Sequence, residues 1–158
     1  QIYHAFLQQR WVEQHGYGLD SNGFLAVLER FDPQTYYQTH PRVPGAYDGD
    51  YVPFQLDGIQ TTATINLATY LRQQHIPLLV VNLPLTTDYL DATRQGYEAE
   101  FRQHLAHLAQ REEFVFQDLN QAELSLNDYF VDPSHLNWYG ARAIAHHLAT
   151  HAPISWPD

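Results

Sequence analysis

The chain has 158 residues, of which 44% are hydrophobic and 16% are charged, a composition typical of one globular domain with a buried core. Eight basic residues against 18 acidic ones give a net charge of −10, which argues against nucleic acid or an anionic membrane as partner, because both bind basic surfaces. The lack of cysteine excludes disulfides and thiolate metal sites, and no apolar run approaches the roughly 20 residues that a membrane span requires.

The first part of the chain predicts one helix, one short strand and a long loop. Apolar side chains of residues 2–15 recur at a spacing near 3.6, which predicts an amphipathic helix. Residues 16–23 are rich in turn formers, and residues 24–31 form a short apolar run that we interpret as a strand. Residues 32–56 contain four prolines and four tyrosines, which predicts a long, ordered, aromatic loop.

The rest of the chain alternates between helical and strand patterns. Residues 59–75, 89–111 and 138–151 each carry apolar side chains along one helical stripe. Residues 77–82 form a continuous apolar run, which indicates a strand buried on both faces of a parallel sheet, and residues 114–118 predict a second strand. This order predicts an α/β fold of three layers, with a mostly parallel sheet flanked by helices.

The loop before the last helix carries the clearest chemical pattern of the sequence. In such a sheet the functional groups gather at the carboxyl ends of the strands, where we place residues 82–86, Asp118 and this loop. Asp132 and His135 are three residues apart, and Pro133 stiffens the backbone between them. An aspartate that accepts a hydrogen bond from imidazole Nδ1 leaves Nε2 free as a general base. The spacing alone leaves open a second interpretation, in which Asp132 caps a helix that has Pro133 at its first position.

The segment from Asp132 to Gly140 resembles the last block of the SGNH (GDSL-type) hydrolase superfamily, in which an Asp-x-x-His pair precedes the final helix. Residues 20–158 are more closely similar to the C-terminal half of an uncharacterised SGNH-like family found in cyanobacteria. The matching stretches are residues 20–25, 30–33, 35–38, 81–86, 88–91 and 132–140. The resemblance implies an SGNH- or flavodoxin-like fold, with His135 as catalytic base and Asp132 as the acid that orients it.

The same resemblance implies a nucleophilic serine in an upstream block that this sequence does not show. The chain has four serines. Ser21 lies in a stretch that superficially echoes Gly-Asp-Ser, but no buried strand precedes it. Ser134 adjoins the histidine and is expected to point away from it, while Ser125 and Ser155 lie in a polar loop and in the tail. Because the chain also starts at Gln1 and has no methionine, we interpret it as a partial domain, residues 1–158 being the C-terminal part of a longer protein, with trimmed disordered ends as the alternative.

Three further patterns have both a binding and a structural interpretation. His104 and His107 have the i, i+3 spacing of metal ligands, with His146 and His147 as a second pair, although chance pairs are common among ten histidines. Asp48 and Asp50 offer oxygen ligands for calcium or simply form a solvated turn. The tyrosine-rich segment 36–54 suits the stacking of sugar rings and equally suits a loop that covers the sheet.

We therefore expect the C-terminal portion of an SGNH-type esterase or O-acyltransferase that needs no cofactor. The resemblance implies an acylated glycan or another ester as substrate, and an extracytoplasmic location on the periplasmic or thylakoid-lumenal side. The remaining partner is the N-terminal part of the same protein or another protein subunit, with no nucleic acid and no membrane contact. The alternative is a non-catalytic α/β fragment or subunit that binds a protein partner.

Overall fold

The computed structural model of the protein describes residues 23–49 and 51–155. Within these ranges the chain forms four α-helices, two β-strands and two short 3-10 turns. In chain order they are α1 (Pro33–Thr39), the turn Gly45–Tyr47, α2 (Ile59–Gln73), β1 (Leu79–Asn82), α3 (Ala92–Glu112), β2 (Val115–Asp118), the turn Asn127–Tyr129 and α4 (Trp138–His151). The predicted α/β class is confirmed. The helix predicted over residues 2–15 lies outside the described residues, as do Ser21 and nearly all of the turn predicted over residues 16–23.

The two strands pair in parallel, from Leu79 opposite Val115 to Asn82 opposite Asp118. Helix α3 connects them, which makes a βαβ crossover and confirms the predicted parallel arrangement. Both faces of the first strand are packed, as predicted, but all four of its residues remain half-buried. The described residues form a sheet of two strands, which is too narrow to enclose either strand between neighbours.

The two faces of the sheet pack against different helices. Successive side chains of a strand point to opposite faces, so Val80 and Val81 contact different cores. Val80 packs against the cluster built by α2 and α3, which includes Ala68 and Leu108. Val81 packs against the cluster that contains Ile144 of α4. None of the helices in the described ranges is long and apolar enough to cross a membrane.

Residues 24–31, interpreted above as a strand, are extended but do not form a regular strand. Single backbone hydrogen bonds hold them, from Trp138 N–H to the Val27 carbonyl and from Phe31 N–H to the Phe130 carbonyl, each 2.8 Å long. Trp138 is the first residue of α4, and Phe130 lies in an isolated bridge to Leu136. In the described part of the chain, residues 24–31 therefore make single backbone contacts and not a continuous ladder.

The segment over residues 32–56, predicted as a loop, contains helix α1 and the turn Gly45–Tyr47. The helix starts at an Asp-Pro pair, where the Asp32 carboxylate accepts a hydrogen bond of 2.9 Å from Gln34 N–H and Pro33 takes the first helical position. This is a standard helix start, because proline has no N–H to leave unpaired. Because the helix has only two turns, the high proline and tyrosine content of the segment led to the prediction of a loop.

Gly140, near the start of α4, is required by a close approach between two segments. A Cβ atom at this position would overlap the carbonyl oxygen of Tyr129 and lie 2.8 Å from Leu136 Cδ2. We expect Gly140→Ala to lower the free energy of unfolding by about 1–3 kcal/mol, the usual range for an overpacked site. Urea denaturation followed by circular dichroism measures this change.

Gly96→Ala is the matched control for Gly140→Ala. Gly96 lies inside α3, and a Cβ atom there would meet nothing within 4 Å. Alanine should therefore raise the free energy of unfolding by about 0.5–1 kcal/mol through its better helix propensity. Equal effects of the two substitutions would contradict the close packing of Gly140.

Candidate functional site

Asp132 and His135 form the hydrogen-bonded pair that the sequence predicts. His135 Nδ1 lies 2.8 Å from one carboxylate oxygen, Oδ2, and 3.0 Å from Oδ1. Because an ionised carboxylate only accepts hydrogen bonds, the imidazole proton belongs on Nδ1 and Nε2 is left as an acceptor. The His135 side chain is 76% exposed and that of Asp132 is 27% exposed, so the imidazole faces solvent while the carboxylate is largely covered.

The carboxylate of Asp132 also builds the loop that carries the histidine. Its Oδ1 accepts hydrogen bonds of 2.9 Å from the backbone N–H groups of Ser134 and His135. Asp132 therefore caps its own tight bend, and the helix-cap interpretation is wrong because the N-cap of α4 is Asn137. One oxygen fixes the loop and the other orients the imidazole. This division restricts the geometry of the pair more than the spacing alone indicates.

Backbone pairing closes the loop at its base. Phe130 and Leu136 form an isolated antiparallel bridge, and Val131 N–H donates to the His135 carbonyl at 2.9 Å. Residues 131–135 thus form a small closed loop in front of α4. Its ends cannot move apart without breaking these bonds, so the pair sits on a defined scaffold.

The buried side chain of Asn137 holds this scaffold to the rest of the chain. Only 1% of the residue is exposed. Its Nδ2 donates to the carbonyls of Glu29, Asp128 and Phe130 at 2.8–3.0 Å, and its Oδ1 accepts from Gly140 N–H at 3.0 Å. The sequence analysis missed this role. The signal that points to it is an asparagine directly before an apolar helical pattern with a glycine three residues later.

Thr86 ties the loop to the carboxyl end of β1. The residue is fully buried, and its hydroxyl donates to the Pro133 carbonyl at 2.7 Å. The Thr86 N–H also points to this carbonyl, at 3.3 Å. The predicted meeting of residues 82–86 with the loop that carries Asp132 and His135 is confirmed at this position.

Asp118, the third feature placed at this edge, is occupied elsewhere. Its carboxylate accepts from Asn82 Nδ2 at 2.9 Å and lies 3.6 Å from Arg102 Nε. These contacts link the ends of the two strands and the adjacent face of α3. Asp118 therefore stabilises the sheet edge and does not line the cleft beside His135.

A cleft of about 720 Å³ opens beside the pair, large enough for a small-molecule substrate. Its lining includes both Asp132 and His135 and the tyrosines Tyr36, Tyr37 and Tyr47. Burial and, secondarily, the negative charge of Asp132 raise the pKa of the Tyr36 hydroxyl. The tyrosine-rich segment and the predicted pair therefore belong to one site, which the sequence did not reveal.

Arg94 supports the floor of this cleft, and sequence reasoning missed it. Its side chain is 6% exposed and forms ion pairs with Asp48 at 2.6 Å and Asp91 at 3.2 Å. It also donates to the Val43 carbonyl at 2.8 Å and to the Tyr89 carbonyl at 3.0 Å. Burial works against the charged guanidinium, but the hydrogen bond to Asp48 and the nearby Tyr89, Asp48 and Asp91 together outweigh it, so the pKa of Arg94 is raised. No local pattern signals this role, because its partners are up to 51 residues away in sequence.

In the described part of the chain, the two metal interpretations, of the histidine pairs and of Asp48 with Asp50, have no group of ligands behind them. Asp48 is engaged by Arg94 and by the Tyr89 hydroxyl, and Asp50 lies outside the described residues. His104 Nε2 lies 3.5 Å from the Thr61 hydroxyl. Across residues 23–49 and 51–155, no group of three or more histidine and acidic side chains is arranged to hold a metal ion.

The described serines do not supply a nucleophile. Ser134 Oγ lies 3.3 Å from His135 Nδ1, the nitrogen that already faces Asp132, and 3.4 Å from Asp132 Oδ1. Ser125 donates to Asn120 at 3.3 Å, and Ser155 is exposed at the end of the described chain. In the part of the chain that the structure covers, no hydroxyl group therefore hydrogen-bonds to His135 Nε2.

Comparison with known proteins places the chain in an uncharacterised family. The model of that family matches residues 60–152, which is more than half of the chain. The chain therefore belongs to this family, and the matched part includes β1, β2, Thr86 and the Asp132–His135 pair. No curated protein and no solved structure matches the chain.

Replacing the buried Thr86 tests how the loop is anchored. Thr86→Val keeps the shape but leaves the Pro133 carbonyl with only the long contact to the Thr86 N–H. We expect the free energy of unfolding to fall by about 1–3 kcal/mol, the cost of an unsatisfied buried group. The control is Thr62→Val, because the exposed Thr62 hydroxyl also donates to a carbonyl, that of Gly58, at 3.2 Å. This change should stay within about 0.5 kcal/mol, and a loss as large as that of Thr86→Val would contradict the anchoring role.

The Tyr89 hydroxyl makes the free energy of unfolding depend on pH in the alkaline range. Burial and a 3.0 Å hydrogen bond to Asp48 raise its pKa from 10.0 to about 12. A group whose pKa is higher in the folded state stabilises the protein below its unfolded pKa and loses this effect as the pH rises through the folded value. The difference in unfolding free energy between the wild type and Tyr89→Phe should therefore be constant at neutral pH and shrink between pH 10 and about 12. A difference that does not change over this range would contradict the assignment.

Proposed function

We propose that this chain supplies the His135–Asp132 half of a Ser-His-Asp centre for acyl transfer, in an SGNH-type esterase or O-acyltransferase. The observation that carries the proposal is the 2.8 Å hydrogen bond between Asp132 and His135 Nδ1 at the edge of a cleft. Asp132 is fixed by two backbone N–H groups, and the imidazole leaves Nε2 facing outward. This is the arrangement that a general base requires.

In the proposed reaction, His135 Nε2 removes the proton of a serine hydroxyl while the serine oxygen attacks the acyl carbonyl of an ester. Asp132 stabilises the imidazolium that results. When the tetrahedral intermediate collapses, the bond between the carbonyl carbon and the leaving oxygen breaks, and His135 returns the proton to this oxygen. Water or a second alcohol then takes the acyl group from the serine by the same steps in reverse, which gives a hydrolase or a transferase, respectively.

The serine of this centre would come from outside the described residues, either from an upstream part of the natural protein or from another protein subunit. Two observations support this. The described hydroxyls do not reach Nε2, and both strands of the sheet are only half-buried, which leaves room for further strands beside them. An SGNH-like arrangement of three layers fits the packing of Val80 and Val81 against helices on opposite faces. By the same resemblance we propose an extracytoplasmic location.

A non-catalytic module that binds a protein partner is the second candidate, and one observation favours it. Helix α2 carries an exposed apolar stripe: Ile59 is 83% exposed, Leu67 48% and Tyr70 60%. Leu67 and Tyr70 follow Ile59 by about eight and eleven positions, so the three side chains share one face of the helix. The buried Ala68 lies on the other side. Exposed apolar patches of this kind commonly mark interfaces.

Ester hydrolysis separates the two candidates. The substrate is p-nitrophenyl acetate, and the enzyme is the natural gene product that contains this sequence. We expect Asp132→Asn to lower kcat by about 10⁴-fold, because the amide oxygen still accepts the backbone N–H bonds while the NH2 group that replaces Oδ2 donates to Nδ1 and moves the imidazole proton to Nε2. His135→Ala should lower kcat at least as much.

His107→Ala is the matched control, since His107 is an exposed histidine on α3 far from the pair in sequence. It should leave kcat unchanged. The 158-residue chain on its own should show negligible turnover. Turnover that survives His135→Ala, or a gene product without any esterase or transferase activity, would contradict the enzyme proposal and favour the binding module.

A further inference from the structure

The side chains that line the cleft carry a net negative charge. Four aspartates line it: Asp48, Asp88, Asp91 and Asp132. They face two arginines, and each arginine is already paired: Arg42 with Asp88 at 2.7 Å and Arg94 with Asp48 at 2.6 Å. An anionic substrate would therefore meet a net negative field without an unpaired cation to compensate it, at distances where screening by salt is incomplete.

The lining of the cleft is also rich in aromatic rings, and most of these rings already have a partner on one face. Tyr36 stacks on His40 with ring centroids 4.3 Å apart, and the Arg42 guanidinium covers Tyr37 at 3.7 Å. Tyr47 differs from them. It is 81% exposed, and the described residues make no ring contact with it. A large aromatic side chain that lines a cleft and is this exposed offers a free face for a flat, partly apolar ligand.

The combination of acceptors and ring faces fits one class of ligand. Carboxylates accept hydrogen bonds from hydroxyl groups, and tyrosine rings pack against the C–H face of a sugar ring. A purely apolar acyl chain would cover the carboxylates of the lining without offering them hydrogen bonds, which is costly. An anionic sugar would be repelled by the same aspartates.

We propose that the cleft beside His135 binds an uncharged carbohydrate, with a sugar ring stacked on Tyr47, as the alcohol portion of the ester. This proposal rests on the proposed function for its chemical meaning, but the binding itself does not need the serine. It assigns Tyr47 as a specificity-determining residue. It also assigns the paired aspartates as the feature that excludes acidic glycans.

The test is a binding measurement on the chain, with two oligosaccharides of equal length. Cellopentaose is uncharged, and pentagalacturonate carries a carboxylate on each ring. Titrations followed by two-dimensional amide NMR should show saturable shifts with cellopentaose, confined to residues that line the cleft. Pentagalacturonate should bind at least about tenfold more weakly at low salt, and the gap should narrow as salt is added.

Variants make the result specific. Tyr47→Ala should weaken cellopentaose binding by about tenfold, the equivalent of one good aromatic contact. Tyr70→Ala is the matched control, because Tyr70 is 60% exposed on α2, does not line the cleft and should leave binding unchanged. His135→Ala should retain binding, so a failure of the catalytic proposal stays distinguishable from a failure of this one. Absence of saturable binding, equal binding of both oligosaccharides, or equal effects of Tyr47→Ala and Tyr70→Ala would overturn the proposal.

Discussion

The side chain of Asn137 joins segments that are more than one hundred residues apart in sequence. Its amide donates to the carbonyls of residue 29, in the extended segment 24–31, and of residues 128 and 130, before the loop at residues 131–135, while its oxygen caps α4. Because this amide is buried, each of these bonds is costly to lose. These bonds therefore fix the start of α4, the base of the loop and segment 24–31 relative to one another. Because the Asp132–His135 pair lies on this loop, its position is fixed by the same bonds.

The site follows from this constraint together with the bond from Thr86. Asn137 fixes the loop from behind, and the Thr86 hydroxyl fixes Pro133 from the end of β1. Oδ1 of Asp132 then holds the backbone of the loop, and Oδ2 is the oxygen nearest to the imidazole. The orientation of His135 is therefore set by the packing of the loop. The aromatic lining of the cleft is held in a similar way, since Arg94 binds both the Val43 carbonyl and Asp48 beneath it. Rigid support of this kind is what a catalytic or binding group needs in order to act without reorganisation.

Features encoded locally were predictable from the sequence, and those that depend on distant partners were not. Helix α4 has the predicted bounds because its apolar stripe and its cap lie within the helix itself. The two Asp-Pro pairs show the limit of local patterns: Asp32 starts a helix, whereas Asp132 caps a bend and holds a histidine. The two Asp-Pro pairs differ in their tertiary contacts, above all in those that Asn137 and Thr86 make with the loop around Asp132. The role of Arg94 was equally hidden, because an arginine on a helix usually lies on the solvated face.

The site depends on Asp132 holding the proton of His135 on Nδ1, which leaves Nε2 as a hydrogen-bond acceptor. Nitrogen-15 NMR of the imidazole side chains detects this tautomer, with the His135 signals assigned by their loss in His135→Ala. We expect the Nδ1–H tautomer for His135, with a downfield Nδ1 proton that disappears in Asp132→Asn. An Nε2–H tautomer, or a spectrum that Asp132→Asn leaves unchanged, would contradict it.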